Sequence, residues 1–127
     1  MSGKLVDTNI LIYLSKKKLQ FNKVASPDDK LFISVITYME VLGYKFSSNF
    51  EKQFVEKICR NLPVINLDSK IVEKVIQIRQ NNRIKLPDAI ILATALVNKF
   101  ELVTANVTDF LNIDSNLIIS DPMKNTS

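Results

Sequence analysis

Residues 86–104 read LPDAIILATALVNKFELVT, and the fold follows from how that stretch divides. Pro87 sits where a first helical residue tolerates it, and Asp88 to Asn98 is apolar almost all round, as expected of a helix buried between other elements. Leu102 to Thr104 then supplies a strand. Outward from there, Lys4–Val6, Leu31–Ile33, Val64–Asn66 and Leu117–Ile119 read as further short strands, each separated from the next by helical or loop sequence. Thr8 offers a cap for a helix over Ile10–Leu14. Lys16 to Lys30, with Lys16, Lys17, Lys18, Lys23 and the Pro27-Asp28-Asp29 turn signal, reads as loop with at most a weak helix. Ser34 caps a helix from Val35 to about Phe46, with Val35, Tyr38, Met39, Leu42 and Phe46 as its inward stripe. Asn49 opens another, with Phe50, Phe54 and Ile58 on one face and Glu51, Lys52, Glu56 and Lys57 outside. Asp68 or Ser69 caps a helix to about Gln80 that turns Ile71, Val75 and Ile78 inward and ends at Asn81-Asn82. Strands separated by helices, with no hairpin turns between them, predict a parallel sheet covered on both faces, a three-layer α/β/α sandwich.

The chain has 127 residues, 46% hydrophobic and 24% charged, so a single domain over 1–127 is expected. Its one cysteine, Cys59, has no intramolecular disulfide partner. The absence of histidine removes Cys/His zinc sites, Ser-His-Asp triads and any ribonuclease chemistry built on imidazole. Carboxylates or lysines must carry any catalysis. No stretch approaches the roughly 20 apolar residues of a bilayer span, and Met1 to Val6 lacks the apolar region of a secretory signal, so a cytoplasmic location is expected. Seventeen Lys and Arg against thirteen Asp and Glu give a net charge of +4, which favours a polyanionic partner.

The placement of single acids is the informative feature. Asp7 is the only charge between Lys4 and Lys16, Glu40 between Lys30 and Lys45, Asp88 between Lys85 and Lys99, and Asp109 between Glu101 and Asp114. Taken singly, Asp7 and Asp88 could be helix caps and Asp109 a turn acid. Glu40, in mid-helix, has no capping role. Asp7 and Asp109 follow strands whose carboxyl ends share one edge of a parallel sheet, the edge where such folds bind ligands. Two carboxylates about 4 Å apart repel by roughly 4 kcal/mol at an effective dielectric near 20, a large fraction of the about 5–15 kcal/mol that stabilises a domain. A convergent set therefore needs a counter-ion, and with no His or Cys at hand a hard divalent cation, Mg²⁺ or Mn²⁺, suits all-oxygen ligands.

These motifs resemble the PIN-domain ribonucleases, and within them the VapC-like toxins of toxin–antitoxin pairs. The matching stretches are Asp7-Thr8-Asn9; Ser34 through Thr37 to Glu40 in ISVITYMEVLGY; Leu86-Pro87-Asp88-Ala89 in KLPDAIILATAL; and Leu102-Val103-Thr104 through Asn106 to Asp109-Phe110 in LVTANVTDF. They occur in family order across almost the whole chain. The resemblance implies a five-stranded parallel sheet and an acidic site made by Asp7, Glu40, Asp88 and Asp109 that holds Mg²⁺ or Mn²⁺. It also implies support from Asn9, Thr104 and Asn106, by hydrogen bonds to the carboxylates or to coordinated water. Many members carry an acid where this chain has Asn106, so the fourth charge rests on Asp109. The activity implied is endoribonuclease cleavage of RNA to a 5′-phosphate and a 3′-hydroxyl by a metal-activated water, in a homodimer inhibited by a cognate antitoxin. Two rival readings carry no nuclease activity: a degenerate fold of the same type acting only as a binding module, and a phosphoacceptor signalling domain. The second lacks paired acids after the first strand.

Overall fold

The computed structural model describes residues 3–124, so both ends of the expected 1–127 unit, residues 1–2 and 125–127, lie outside the described residues. Five strands are present: β1 (Gly3–Val6), β2 (Lys30–Ser34), β3 (Val64–Ile65), β4 (Glu101–Val103) and β5 (Ile119–Ser120). Seven helices connect them: α1 (Thr8–Ser15), α2 (Phe21–Val24), α3 (Val35–Leu42), α4 (Asn49–Asn61), α5 (Ser69–Asn81), α6 (Leu86–Asn98) and α7 (Val107–Phe110). The strands form one parallel sheet in the order β3-β2-β1-β4-β5.

Adjacent residues of the central strands point to opposite faces and both are buried. Leu5 and Leu102 enter a core with α5, α6 and α7, whereas Val6 and Val103 enter a second core with α1, α3 and α4. Burial on both faces is why these strands read as continuous apolar runs rather than alternating ones. The helix that opened the sequence reading behaves as expected: Ala89 through Ala95 are all buried. The three-layer α/β/α architecture with a five-stranded parallel sheet is thus as the sequence implied. No helix among the described residues is long and apolar enough to cross a membrane.

Strand order positions the site. The chain builds outward from β1 through β2 to β3, then returns to the other side of β1 to lay down β4 and β5. The carboxyl ends of β1 and β4 are therefore the switch point at which successive connections diverge and leave a crevice.

Several local expectations are corrected. The cap of α1 is Asp7, which accepts from the Thr8 N–H, and not Thr8. Helix α3 stops at Leu42 because Gly43, a poor helix former, closes it with its N–H on Met39 and Val41 carbonyls, so Phe46 is not on this helix. Its buried residues are Thr37 and Val41, while Met39 is 56% exposed. The inward face is rotated because a hydrogen-bonded threonine lies on it, which an apolar stripe does not register. Helix α4 buries Val55 and Cys59 and leaves Phe50 and Phe54 exposed, stacked on each other with centroids 6.3 Å apart. Small side chains let α4 approach α1 closely, and the two rings stay outside. The β5 pairing falls at Ile119–Ser120, later than Leu117, and α7 is an element the sequence did not announce.

Gly3 marks a tight point beside the centre of the sheet. The Phe32 and Phe100 rings stack across it with centroids 4.4 Å apart, and a Cβ on Gly3 would lie 2.5 Å from Phe100 Cδ1. Gly3→Ala is expected to destabilise the fold by about 1–3 kcal/mol through overpacking, read as a lower midpoint in urea unfolding. An unchanged midpoint would mean that the ring pair yields freely.

Candidate active site

Asp7 follows β1 directly and is only 4% exposed. Its Oδ1 accepts the Thr8 N–H at 2.7 Å, and its Oδ2 accepts the Thr104 hydroxyl at 2.6 Å, across the β1–β4 switch point. The Thr104 oxygen in turn accepts the Asn106 N–H at 3.0 Å, and the Asp7 N–H donates to the Val103 carbonyl at 2.9 Å. The carboxylate is thereby held by backbone and side chain together. Each oxygen takes one hydrogen bond and keeps a further lone pair for a ligand.

Glu40 reaches the same place from α3. Its Oε1 accepts the Thr8 hydroxyl at 2.6 Å, and that hydroxyl lies 3.1 Å from the hydroxyl of buried Thr37. Asp88 stands in the first turn of α6, where the helix N-terminus favours an anion. Asp7, Glu40 and Asp88 line one open cleft of about 510 Å³, with Asn9 and Asn106 on its wall and Lys16 and Lys18 also lining it. Asp109, on α7, is exposed and is not part of that lining, but its charge acts on Asp88.

The electrostatics show four acids sharing one field. Burial pushes the Asp7 carboxyl up to about 6; hydrogen bonds from Thr104 and Thr8 oppose this, and the charges of Asp88 and Glu40 add to it. Asp88 is also raised, first by burial and then by Asp109 and Glu40, with Lys85 pulling the other way. The ion pairs among the described residues are Lys4–Asp29, Lys16–Glu51 and Lys74–Asp114, so none of the four acids has a cationic partner there. Nor do any three His, Cys, Asp or Glu side chains among the described residues form a ready-made metal-holding group. Carboxylates without a counter-ion repel, and here Glu40 accepts from Thr8. An all-carboxylate donor set with free lone pairs fits a hard divalent cation and no softer one.

Of the supporting residues expected from sequence, Thr104 donates its hydroxyl hydrogen bond to Asp7. Asn9, on the cleft wall, accepts the Ala105 N–H on its Oδ1 at 3.4 Å, next to the residue Asn106. Asn106 braces Thr104 through its backbone. The sequence reading passed over Thr8 and Thr37 as supports for Glu40. The available signal was Thr37 three residues before Glu40, one turn away on the same helix face.

A PIN domain family model matches residues 4–116. No curated protein sequence matches the chain. Among solved structures, a toxin–antitoxin complex from Klebsiella pneumoniae is 34% identical with a TM-score of 0.70, covering 94% of this chain and 97% of that one. VapBC-1 from nontypeable Haemophilus influenzae is 27% identical with a TM-score of 0.75, covering 96% and 99%. DNA-bound VapBC from Salmonella typhimurium is 26% identical with a TM-score of 0.76, again covering 96% and 99%.

Asp7 keeps its proton to about pH 6 in the fold but releases it near 3.8 in the open chain. The unfolded state therefore binds fewer protons over that interval, and native stability must fall as pH rises through it. In chelator, the unfolding free energy is expected to lose up to about 3 kcal/mol from Asp7 between about pH 4 and pH 6 and then level off. Asp7→Asn removes that loss. Urea titrations of both proteins across this range check it, and a constant difference between them would mean that Asp7 ionises as freely folded as unfolded.

Proposed function

The chain belongs to the PIN-domain family, whose members are generally nucleases, and from that premise we propose that it is a divalent-metal-dependent endoribonuclease serving as the toxin of a toxin–antitoxin pair. The observation that carries this reading is the meeting of Asp7, Glu40 and Asp88 in one cleft, with Asp109 beside Asp88 and no cationic partner for any of them. The chain has no histidine, so neither an imidazole base nor an imidazole acid is available.

Asp7, Glu40, Asp88 and Asp109 would hold Mg²⁺ or Mn²⁺. Such a cation supplies a water of lowered pKa and offsets negative charge developing on a phosphodiester. The chain's own residues set the geometry. Thr104 and the Thr8 N–H fix both oxygens of Asp7 and favour its ionised form against the burial that opposes it. Thr8, backed by Thr37, orients Glu40. Lys16 and Lys18 stand where they can meet phosphate oxygens as a strand enters. The polymer is RNA in this reading, and the compartment the cytoplasm.

An antitoxin protein is the proposed partner, supported by likeness to the Klebsiella pneumoniae toxin–antitoxin complex over nearly the whole chain. A second copy of the chain is the proposed cover for an exposed apolar strip on α5 and the start of α6. There, Ile76 of α5 and Leu86 of α6 line a common hollow, with exposed Val72 one turn before Ile76.

Asp88→Asn and Glu40→Gln are each expected to reduce Mn²⁺-dependent cleavage of RNA to the level of the protein-free control. Thr104→Val, which leaves the acids in place but frees one oxygen of Asp7, is expected to cost about 10- to 100-fold. Independently of turnover, added Mn²⁺ should raise the thermal midpoint of the natural chain and not that of Asp7→Asn. Cleavage that survives in chelator, or in Asp88→Asn, overturns the proposal; metal-dependent stabilisation without cleavage of any RNA would leave a binding module.

A further inference from the structure

Helix α1 ends in a turn made of three consecutive lysines, and its geometry is unusual. The Lys18 N–H reaches back to the Tyr13 carbonyl at 2.9 Å and the Lys17 N–H to the Leu14 carbonyl at 3.1 Å, a helix stop whose central residue is left-handed. That residue is Lys17, at φ 60°. Glycine is the usual occupant of such a position, because a side chain there is strained. Here a lysine stands in it, flanked by two more.

Each cation lands on a feature of one surface. Lys16 lines the acid cleft with its Nζ 5.9 Å from the Tyr44 ring centroid and 3.7 Å from Glu51 Oε1. Lys17 places its Nζ 5.2 Å from the centroid of Phe50. Lys18 lines the acid cleft and also an adjoining hollow of about 250 Å³, where Lys23 and Lys124 are the other charged residues in the lining among the described residues. Lys17 and Lys18 have no ion pair among the described residues. Tyr44, itself in the cleft lining, is 41% exposed and Phe50 is 59% exposed.

We propose that the Lys16-Lys17-Lys18 turn, with Tyr44 and Phe50, is a docking track for single-stranded RNA that leads a strand into the acid cleft. This rests on the ribonuclease reading above and specifies which surface receives the substrate. Charge selects the occupant. Exposed aromatic side chains interleaved with lysines, of which Lys17 and Lys18 have no ion pair among the described residues, give a nucleic-acid strand both base stacking and phosphate neutralisation, whereas an apolar protein face would leave those two lysines desolvated and unmatched. Single strands are favoured over duplexes because only unstacked bases offer their faces to Tyr44 and Phe50.

The test measures binding of a fluorescein-labelled oligouridylate of about 12 nucleotides to the full chain in chelator, where cleavage does not interfere. Tyr44→Ala and Phe50→Ala are each expected to weaken binding about 5- to 150-fold while leaving its salt dependence intact. Lys18→Ala should reduce the slope of log affinity against log salt by about 0.7. Lys17→Gly is the sharpest variant: it relieves the left-handed strain, so its thermal midpoint should rise, yet its affinity and salt slope should fall. Raised stability with unchanged binding would make the turn merely structural and overturn the proposal. So would equal affinity of Phe50→Ala for RNA coupled with loss of a protein partner, or tighter binding of an RNA duplex of the same length. The underlying ribonuclease reading fails separately: Asp88→Asn should still bind the oligonucleotide, and a natural chain that binds it through these residues but cleaves no RNA would sink that reading and leave the track standing.

Discussion

The hydrogen bond from Thr104 to Asp7 joins the ends of β1 and β4 and holds a carboxylate where the protein has almost excluded water. Everything around the cleft is arranged relative to that group. Its burial opposes ionisation strongly enough to move the carboxyl from 3.8 to about 6, and the associated cost, about 3 kcal/mol, is a sizeable part of the about 5–15 kcal/mol that holds a domain together. Two hydrogen bonds limit that cost without removing it. A fold that keeps such a group has either a use for it or a ligand that stabilises it, and the absence of any cation paired with Asp7, Glu40, Asp88 or Asp109 among the described residues leaves that ligand to come from outside.

The rigidity needed to hold the carboxylate comes from the two cores. Leu5 and Val6, the residues just before Asp7, are each 1% exposed and point into opposite layers, so the strand cannot rotate or slide without opening a cavity. Leu102 and Val103 fix β4 in the same way, two residues and one residue before Thr104. Asp88 enters on α6, whose following seven residues are buried, so its position also derives from packing rather than from a mobile loop. Glu40 and Asp109 are the looser pair. Both are exposed, Glu40 held at the cleft by the Thr8 hydroxyl and Asp109 carried on a four-residue helix, so their positions owe less to core packing than those of the other two.

The sequence made the architecture legible because the central elements are buried on all sides and their residues have no second role. A run such as Ala89–Ala95 has only one sensible place to go. The acids were legible for the complementary reason: a lone charge in a segment otherwise built for the core contradicts its surroundings. What escaped were the buried threonine of α3 and the exposed rings of α4. Thr37 lies on the buried face of α3 because its hydroxyl has Thr8 for a neighbour, and that neighbour is distant in sequence. Phe50 and Phe54 lie outside because Val55 and Cys59 already fill the gap against α1. Periodicity distinguishes the two faces of a helix but does not say which of two partly apolar faces will meet a partner.

The distribution of charge around the cleft imposes an order on substrate entry. Lysines at the rim attract a polyanion, yet the acids they surround repel each phosphate that approaches within a few ångströms, and the repulsion is least screened at buried Asp7. In the proposed reading, a strand drawn along Lys17 and Lys18 would meet this repulsion beside the acids until their charge is compensated. Attraction at the edge with repulsion at the centre would then favour entry of the strand into a cation-loaded cleft. The separation of the two charges, cations on the turn after α1 and anions at the strand ends, follows from the fold: the helix spans the distance between them, and Asp7 at one end and Lys16 at the other are its two caps.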